Sequence, residues 1–483
     1  MPAPDTPRSA LRLWLLAAAV FAAAAAVFLL LPQRHLHGVD GNSFVVWVEE
    51  GDTGSYARHA AYLHLCTAVF RLLEPFGATG NDALLVSSAL GTALGLALLV
   101  LAFARLMPAH VGSPLWPTLA VALTPSWFYF ATTGEIPGVL AAGVGLAWWQ
   151  FARWLDRPTV LRAAVLGTSC ALAGALHALG HLLTPGMLAT AALLARLPAR
   201  RTGRLPQIAA WLSAHAALAL LLSLLLAHGA GGQAEDAANV LADYWRTFAP
   251  LTAPAVFYRE WVVPFLPWSV GALAALANRR SRPLAWAALA MVALYLGPNV
   301  VFLGFHAIHE QGAYFVPIAP VAVLATAAFV TRRGFLIAIA AGAIVTVLTV
   351  SPGWRHPVPP EYGIGVRELD GEQKIALVTG SREELDGARA AVKGLMAMWL
   401  GGVVNGYVSL PQPAPPFAQW FDGWYDGLRA LGMTAVLSES ARDFFATTDD
   451  PQLGPFWREH VPARYEVVPV ERAGFRGVIL VRR

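Results

Sequence analysis

The feature that most constrains this sequence is a series of eleven near-continuous apolar runs, separated by turn formers and charges. A helix needs about 20 apolar residues to cross the hydrocarbon core of a bilayer. Only 13% of the residues are charged, whereas soluble domains have roughly 25%. We therefore predict a polytopic α-helical membrane protein with about eleven transmembrane helices. The apolar runs lie at residues 11–32, 83–106, 114–131, 136–152, 160–176, 180–197, 207–228, 261–278, 283–304, 312–330 and 334–351.

Arginines and acidic residues alternate between successive loops of this predicted bundle. Starting from the N-terminal tail, every second loop carries arginines, and the loops between them carry most of the acids. Positively charged loops stay on the cytoplasmic side of a membrane. We therefore predict a multi-pass protein of a bacterial-type inner membrane with a cytoplasmic N-terminus. The first run is interpreted as a retained anchor, because no convincing cleavage site follows it.

Two domains are predicted. Residues 1–351 form the membrane domain, and its first outer loop, residues 33–82, contains apolar residues at helical spacing over 56–75. That spacing predicts an amphipathic helix on the membrane surface. An odd number of spans places residues 352–483 on the extracytoplasmic side, after a proline-rich segment.

The pattern of residues 352–483 predicts a small α/β domain. Strands are expected at 374–380 and 433–437, helices at 382–400 and 416–431, and a hairpin at the C-terminus. Ser381 is a predicted N-cap. The segment VTGSREE lacks the glycine spacing of a phosphate loop and is interpreted as an ordinary strand-to-helix turn.

Composition excludes several classes of function. A net charge of +4 over 483 residues argues against a nucleic-acid partner, which needs a concentrated basic face. Cys66 and Cys170 are the only cysteines, too few for a cysteine-based metal site. A lone histidine pair more often satisfies local hydrogen bonds than binds metal, so no metal site is predicted.

Four groups of polar residues lie on the predicted outer side. The segment EEGDTGSY contains Glu49, Glu50 and Asp52, and Glu135 lies in TTGEIPG. His177 and His181 are four residues apart, a spacing that predicts one helix face. The fourth group, His306, His309 and Glu310, precedes QGAYFVPIAP. These residues either solvate the loops or form a pocket for a polar substrate carried on a lipid.

Several segments resemble the GT-C glycosyltransferase superfamily, and within it the bacterial protein O-mannosyltransferase-like branch. That branch has Asp-Ser-Gly-Glu-Phe and then His-Pro-Pro-Gly-Tyr-Pro-Leu-Tyr in its first outer loop. It also has Glu-Val-Tyr-Ala and Gly-Asn-His-Leu-Thr segments, and the superfamily has an Arg-Tyr-Phe-Leu-Pro helix. The similar residues here are Asp52-Thr53-Gly54-Ser55-Tyr56, His59-Ala60-Ala61-Tyr62-Leu63, Glu135, His181 with Leu182 and Thr184, and Tyr314 with Phe315 and Pro317. The likeness covers roughly residues 1–350.

The resemblance implies a GT-C-like fold and an inverting sugar transfer from a polyprenyl-phosphate donor to an acceptor hydroxyl. It assigns the general base to Asp52, and Glu135 to sugar hydroxyls or an assisting role. The lipid phosphate is expected at His59 and His181, which match family segments, and at Arg58 and His177, which only share their predicted side; further substrate contacts are expected at Tyr56, Tyr62 and Tyr314. The alternative bases are Asp40, Glu49 and Glu50, although Asp40 in VDGNS is interpreted as a turn former. A divalent metal is left open, no other cofactor is implied, and the sugar and acceptor are not identified.

Two other classes of function stay open. A transporter or lipid flippase is disfavoured because no internal repeat is visible and acids are nearly absent from the inner half. A non-catalytic GT-C-like scaffold is favoured by Ser55, which stands where the branch has its second acid, and by the absent prolines.

Overall fold

The computed structural model describes most of the chain, which divides into two compact units. One unit comprises Met1–Gln33, His37–Leu73 and Ala83–Trp354, and the other comprises Arg34–Leu36, Glu74–Asp82 and Arg355–Arg483. The described residues are 7–33, 40–53, 60–194, 205–226, 265–298, 313–350, 360–392, 395–400, 403, 415–451 and 453–483.

Helices form most of the described parts of the first unit's apolar runs. Four of them are long and apolar enough to cross a membrane: Ala10–Leu30, Gly80–Leu106, Leu205–Leu226 and Arg332–Val350. The total of eleven spans stays a prediction. The described helices of this unit are α1 (Pro7–Leu30), α2 (Asp40–Glu50), α3 (Ala60–Leu73), α4 (Gly80–Leu106), α5 (Leu115–Ala122), α6 (Pro125–Thr132), α7 (Ile136–Asp156), α8 (Val160–Leu176), α9 (Leu183–Leu194), α10 (Leu205–Leu226), α11 (Trp268–Ala274), α12 (Arg282–Pro298), α13 (Ala319–Phe329) and α14 (Arg332–Val350).

Three details of the first unit differ from the sequence prediction. The run 114–131 is two helices, because Pro125 interrupts the backbone hydrogen bonds and Thr124 caps the new helix by accepting from Trp127 N. The run 180–197 begins with a 3₁₀ turn, Ala178–Leu182, before α9. The first outer loop contains α2 as well as the predicted amphipathic helix, which is observed as α3.

A seam of small residues joins α4 to α7. A Cβ added to Gly91 would overlap the backbone of Gly138 and Val139, and one added to Gly95 would overlap Ala141. Thr92 Oγ1 also donates to the carbonyl of Gly138, at 3.1 Å. Small residues let membrane helices approach until their backbones touch. The segment SSALGTALG of α4 therefore determines the position of α7 and of the residue before it.

An ion pair marks the other end of the same two helices. Arg105 Nη1 donates to Asp156 Oδ2 at 2.8 Å. Ser88 meets Glu135 at one end of the pair and Arg105 meets Asp156 at the other, so α4 and α7 run in the same direction. This agrees with the predicted topology, in which α4 and α7 both cross from the outer to the inner side and the run between them crosses back.

The second unit is an α/β fold with one five-stranded sheet in the order β2-β1-β3-β5-β4. β1 pairs parallel with β2 and β3, and β5 pairs antiparallel with β3 and β4. Alternate residues of β1 enter two separate hydrophobic clusters on the two faces of the sheet. The described elements are α15 (Pro360–Glu372), β1 (Ile375–Thr379), α16 (Arg382–Ala391), β2 (Met396–Trp399), α17 (Phe417–Ala430), β3 (Thr434–Ser438), α18 (Glu439–Thr447), α19 (Leu453–Pro455), a π-helical turn (Phe456–His460), α20 (Val461–Arg464), β4 (Tyr465–Arg472) and β5 (Phe475–Arg482).

The predicted strands and terminal hairpin of this unit are observed, but the helix predicted at 382–400 is too long. It ends at Ala391, and β2 occupies its last part. Ser381 caps α16 by accepting from Glu384 N, as predicted. The Glu384 carboxylate accepts from Gly380 N and from the hydroxyls of Ser438 and Ser440. The Glu384 side chain thus accepts the hydrogen bonds of the donors at the ends of β1 and β3.

Asp422 links three elements of the second unit. Asp422 Oδ1 accepts from His460 Nε2 at 2.9 Å and from the Tyr465 hydroxyl at 2.6 Å. Burial by itself raises the pKa of Asp422, but the hydrogen bonds from Tyr465 and His460 and the positive charges of His460 and Arg464 outweigh it, so that pKa is lowered. A carboxyl with a lowered folded-state pKa stabilises the fold above its unfolded pKa, and that stabilisation is lost as the pH falls through the folded value.

We therefore expect Asp422→Asn to lower the free energy of unfolding of the second unit at neutral pH by about 1–2 kcal/mol, mainly through weakened hydrogen bonds. The difference from the wild type should shrink below about pH 4. Hydrogen exchange of residues 465–482 in the full-length protein measures it, with exposed Asp449→Asn as the control. An unchanged difference between pH 7 and pH 3 would contradict the role of the Asp422 charge.

Candidate functional site

The first outer loop brings two helices side by side. Phe44 of α2 packs against Tyr62 of α3, with ring centroids 5.5 Å apart. A Cβ on Gly51 would lie 3.5 Å from Arg71 Nη2. Both contacts are satisfied only if α2 and α3 run in the same direction, because the two helices advance together from Phe44 and Tyr62 to Gly51 and Arg71.

The glycine of EEGD terminates α2. Gly51 has a φ of +76°, and Asp52 N donates to the carbonyl of Trp47 at 2.8 Å. This is the Schellman arrangement, in which a residue with positive φ closes the helix. It holds Asp52 at the Arg71 end of the α2–α3 pair.

Glu135 lies at the opposite end of that pair. Its carboxylate caps α7 by accepting from Ile136 N at 2.7 Å. Ser88 of α4 donates to the Glu135 carbonyl at 2.9 Å and accepts from Glu135 N at 3.2 Å. The side chain is buried, with 6% exposed. Backbone and side-chain hydrogen bonds therefore position Glu135 at the α4–α7 seam.

Tyr62 and Cys66 of α3 lie beside Glu135. Both are fully buried, and burial is the largest cause of their raised pKa values, which reach about 12 for Cys66. The negative charge of Glu135 contributes to both increases. Tyr62, predicted as a substrate contact, and Glu135 are thus brought together.

The two leading candidates for the general base lie at opposite ends of α2. Asp40 is its first residue, one turn before Phe44, and so belongs to the end where Tyr62 and Glu135 lie. The interpretation of Asp40 as a turn former is wrong, because it opens a helix. From Asp40 to Glu50 the helix rises about 15 Å. Asp40 and Asp52 are therefore too far apart to contact the same hydroxyl.

The other acids of EEGD differ in exposure. Glu49 is buried, with 9% exposed, and Glu50 is exposed. Both belong to the last turn of α2, near Asp52 and away from its first turn.

The histidine prediction requires a correction. His177 and His181 do not share a helix face, because α8 ends at Leu176 and His181 lies in the 3₁₀ turn Ala178–Leu182. His177 Nδ1 caps that turn by accepting from Leu179 N at 3.0 Å. The partner of His181 is instead His215 of α10, with 3.1 Å between His181 Nδ1 and His215 Nε2.

Other predicted site residues have mixed outcomes. Tyr314 is described and buried, with 8% exposed, and the neighbouring Phe315 stacks on Phe265. Within the described ranges, no group of three or more His, Cys, Asp or Glu residues is placed to hold a metal ion. The predicted residues that lie outside the described part of the chain are Tyr56, Arg58, His59, His306, His309 and Glu310.

Sequence analysis missed three polar residues that the fold places at or near these groups. Ser88 holds Glu135, Arg71 lies over Gly51, and His215 pairs with His181. Only His215 carried a signal in the sequence, because an ionisable residue inside an apolar run is unusual.

Comparison with known proteins gives a consistent result at the level of the fold. No protein-family model matches the sequence, and no curated protein does either. A crystal structure of ArnT from Cupriavidus metallidurans bound to undecaprenyl phosphate is similar, with a TM-score of 0.61, 16% identity, and coverage of 96% of this chain and 97% of that one.

Two further solved structures are similar. The oligosaccharyltransferase of Archaeoglobus fulgidus matches with a TM-score of 0.50 and 14% identity, over 97% of this chain and 74% of that one. The arabinofuranosyltransferase AftD from mycobacteria matches with a TM-score of 0.52 and 14% identity, over 96% of this chain but only 41% of that one. All three are GT-C glycosyltransferases. This chain therefore has the GT-C glycosyltransferase fold.

Proposed function

We propose that this protein is a membrane glycosyltransferase that moves a sugar from a polyprenyl-phosphate donor to an acceptor hydroxyl on the extracytoplasmic face of a bacterial-type inner membrane. The main support is the fold similarity over 96% of the chain to ArnT, whose solved structure holds undecaprenyl phosphate. Apolar helices that can contact lipid and a buried carboxylate beside α3 add to it.

The proposed reaction needs a base and a leaving group. The acceptor oxygen forms a bond to the anomeric carbon while the bond from that carbon to the phosphate oxygen breaks. The acceptor proton goes to a carboxylate within about 3 Å of the hydroxyl, and the polyprenyl phosphate leaves with the bonding electron pair. Inversion at the anomeric carbon follows from a single displacement.

We assign the base to Asp40 and keep Asp52 as the alternative. Asp40 opens α2 at the Tyr62 end, where Glu135 also lies, so the two acidic residues belong to the same end of the α2–α3 pair. Asp52 lies at the Arg71 end of the α2–α3 pair. Glu135 is proposed to hold sugar hydroxyls, and residues 352–483 are proposed to be an extracytoplasmic domain.

Sugar transfer can be tested directly with the purified full-length protein in proteoliposomes. A panel of synthetic undecaprenyl-phosphate sugars is supplied with cell-envelope acceptors, and the products are identified by mass spectrometry. We expect one donor to be consumed with formation of a glycosylated acceptor and free undecaprenyl phosphate. An intact donor that only changes leaflet would instead identify a flippase, and a protein inactive in both assays would identify a scaffold.

A further inference from the structure

His215 lies near the middle of α10 (Leu205–Leu226), a helix without Asp, Glu, Lys or Arg. Ionisable residues inside membrane-spanning helices are costly, usually face a partner in the bundle, and mark functional sites. The partners of His215 are Thr184 of α9, at 2.9 Å from His215 Nδ1, and His181, at 3.1 Å from His215 Nε2. Both ring nitrogens of His215 are therefore engaged.

The three side chains form a hydrogen-bond chain with two allowed directions. A neutral imidazole has one N–H donor and one acceptor nitrogen. If Thr184 donates to His215 Nδ1, then His215 Nε2 donates to His181 Nδ1, and His181 Nε2 carries a proton that points away from the chain. In the reverse direction His181 Nε2 is an acceptor. His181 Nε2 has no partner among the residues that the structure describes.

The ring of His181 is fixed in place by its surroundings. A Cβ on Gly174 would overlap the imidazole, so only glycine leaves room for it. The 3₁₀ turn that carries His181 is held by the Tyr295 hydroxyl, which donates to the Leu179 carbonyl at 3.1 Å. His181 and His215 remain half-buried.

The turn that carries His181 lies well before the C-terminal end of α10. α8 and α10 run in the same direction, because Gly167 contacts Trp211 while Gly174, two turns further along α8, contacts His181 beside His215. α10 continues for about 16 Å beyond His215. Non-helical backbone at such a depth is tolerated only where it is buried in protein or lines a polar cavity.

We propose that His215 is a positioning residue, which sets His181 in the form whose Nε2 donates a hydrogen bond to the phosphate of a polyprenyl-phosphate lipid, the ligand that the family resemblance implies for His181. This inference rests on the proposed function, whose donor carries that phosphate. An anion selects the direction in which Thr184 is the first donor, since the reverse direction places a lone pair against the phosphate oxygens. A neutral imidazole donor also avoids the cost of an additional buried charge.

Ligand binding by the purified full-length protein in nanodiscs tests the inference. Undecaprenyl phosphate, undecaprenol and inorganic phosphate are compared as ligands of the wild type, His215→Phe and His215→Gln. We expect His215→Phe to weaken binding of undecaprenyl phosphate about tenfold, the effect of losing one charge-assisted hydrogen bond, while undecaprenol binding is unchanged. The affinity of His215→Gln, whose amide can accept and donate, should lie between those of the wild type and His215→Phe. Thr190→Val is the matched control, because the Thr190 hydroxyl bonds only within α9, to Gly186.

Nitrogen-15 NMR of labelled histidines provides a readout independent of folding yield and of sugar transfer. Undecaprenyl phosphate should shift the His181 and His215 ring signals, and undecaprenol should not. Equal lipid-phosphate affinity in His215→Phe, or equal effects of undecaprenol, would overturn the inference, as would binding of inorganic phosphate alone. If transfer is never detected but lipid-phosphate binding depends on His215, the proposed function fails and this inference stands.

Discussion

Replacing Asp40 by asparagine is expected to lower the rate of sugar transfer by about 10²–10⁴-fold, the usual contribution of a general base. Binding of the donor should change little, because the amide keeps the size of the carboxylate. The fall should therefore be in kcat and not in KM. Initial rates in proteoliposomes, with the donor that is active in the panel, measure both.

Asp52→Asn is the informative comparison. Asp40 is the first residue of α2 and Asp52 follows its last residue, so they are about 15 Å or more apart along the helix and only one can reach the acceptor hydroxyl. We expect Asp52→Asn to retain most of kcat, and Asp449→Asn, on an exposed residue of the second unit, to retain all of it. Loss of kcat in Asp52→Asn with normal turnover in Asp40→Asn would reverse the assignment of the base.

Leucine at Gly95 is expected to prevent correct assembly of the membrane unit. A single Cβ there would already overlap the carbonyl of Ala141, so Gly95→Ala should lower stability by about 1–3 kcal/mol, and leucine by more. α4 and α7 would have to separate, and Ser88 would lose its two hydrogen bonds to Glu135. Transfer activity should therefore fall together with folded yield.

The measurement is the monodisperse fraction on size-exclusion chromatography in detergent, followed by the melting temperature. Gly334→Ala of α14 is the matched control for Gly95→Ala, because a Cβ there meets its nearest neighbour at 3.4 Å. A normal yield of Gly95→Leu with full activity would show that the α4–α7 seam does not position Glu135.

Several elements were predictable because their signal is local. Near-continuous apolar runs predicted the helices, and alternation of apolar residues predicted the terminal hairpin. Ser381 was predictable as a cap, since its side chain bonds only three residues away. The helix expected at 382–400 was too long because β2 lies against β1, and such strand pairing is a non-local gain that overrides helix propensity.

The candidate site was only partly predictable for the same reason. The acids and histidines could be recognised individually, and the similarity to the GT-C superfamily agreed with the fold that was found. Their pairing could not be derived. His181 was expected to pair with His177, four residues away, whereas α8 ends between them and His215 approaches from α10.

By itself, the sequence determined that this chain enters a membrane, because so few charged residues cannot cover a water-soluble surface of this size. It also determined which loops carry arginines and which carry acids. Only the tertiary structure decided that α2 and α3 run side by side, so that Asp40 shares an end with Tyr62 and Glu135 while Asp52 lies with Arg71. The physical reason is that glycine seams and helix directions are set by contacts between segments distant in the chain, and neither hydropathy nor spacing records them.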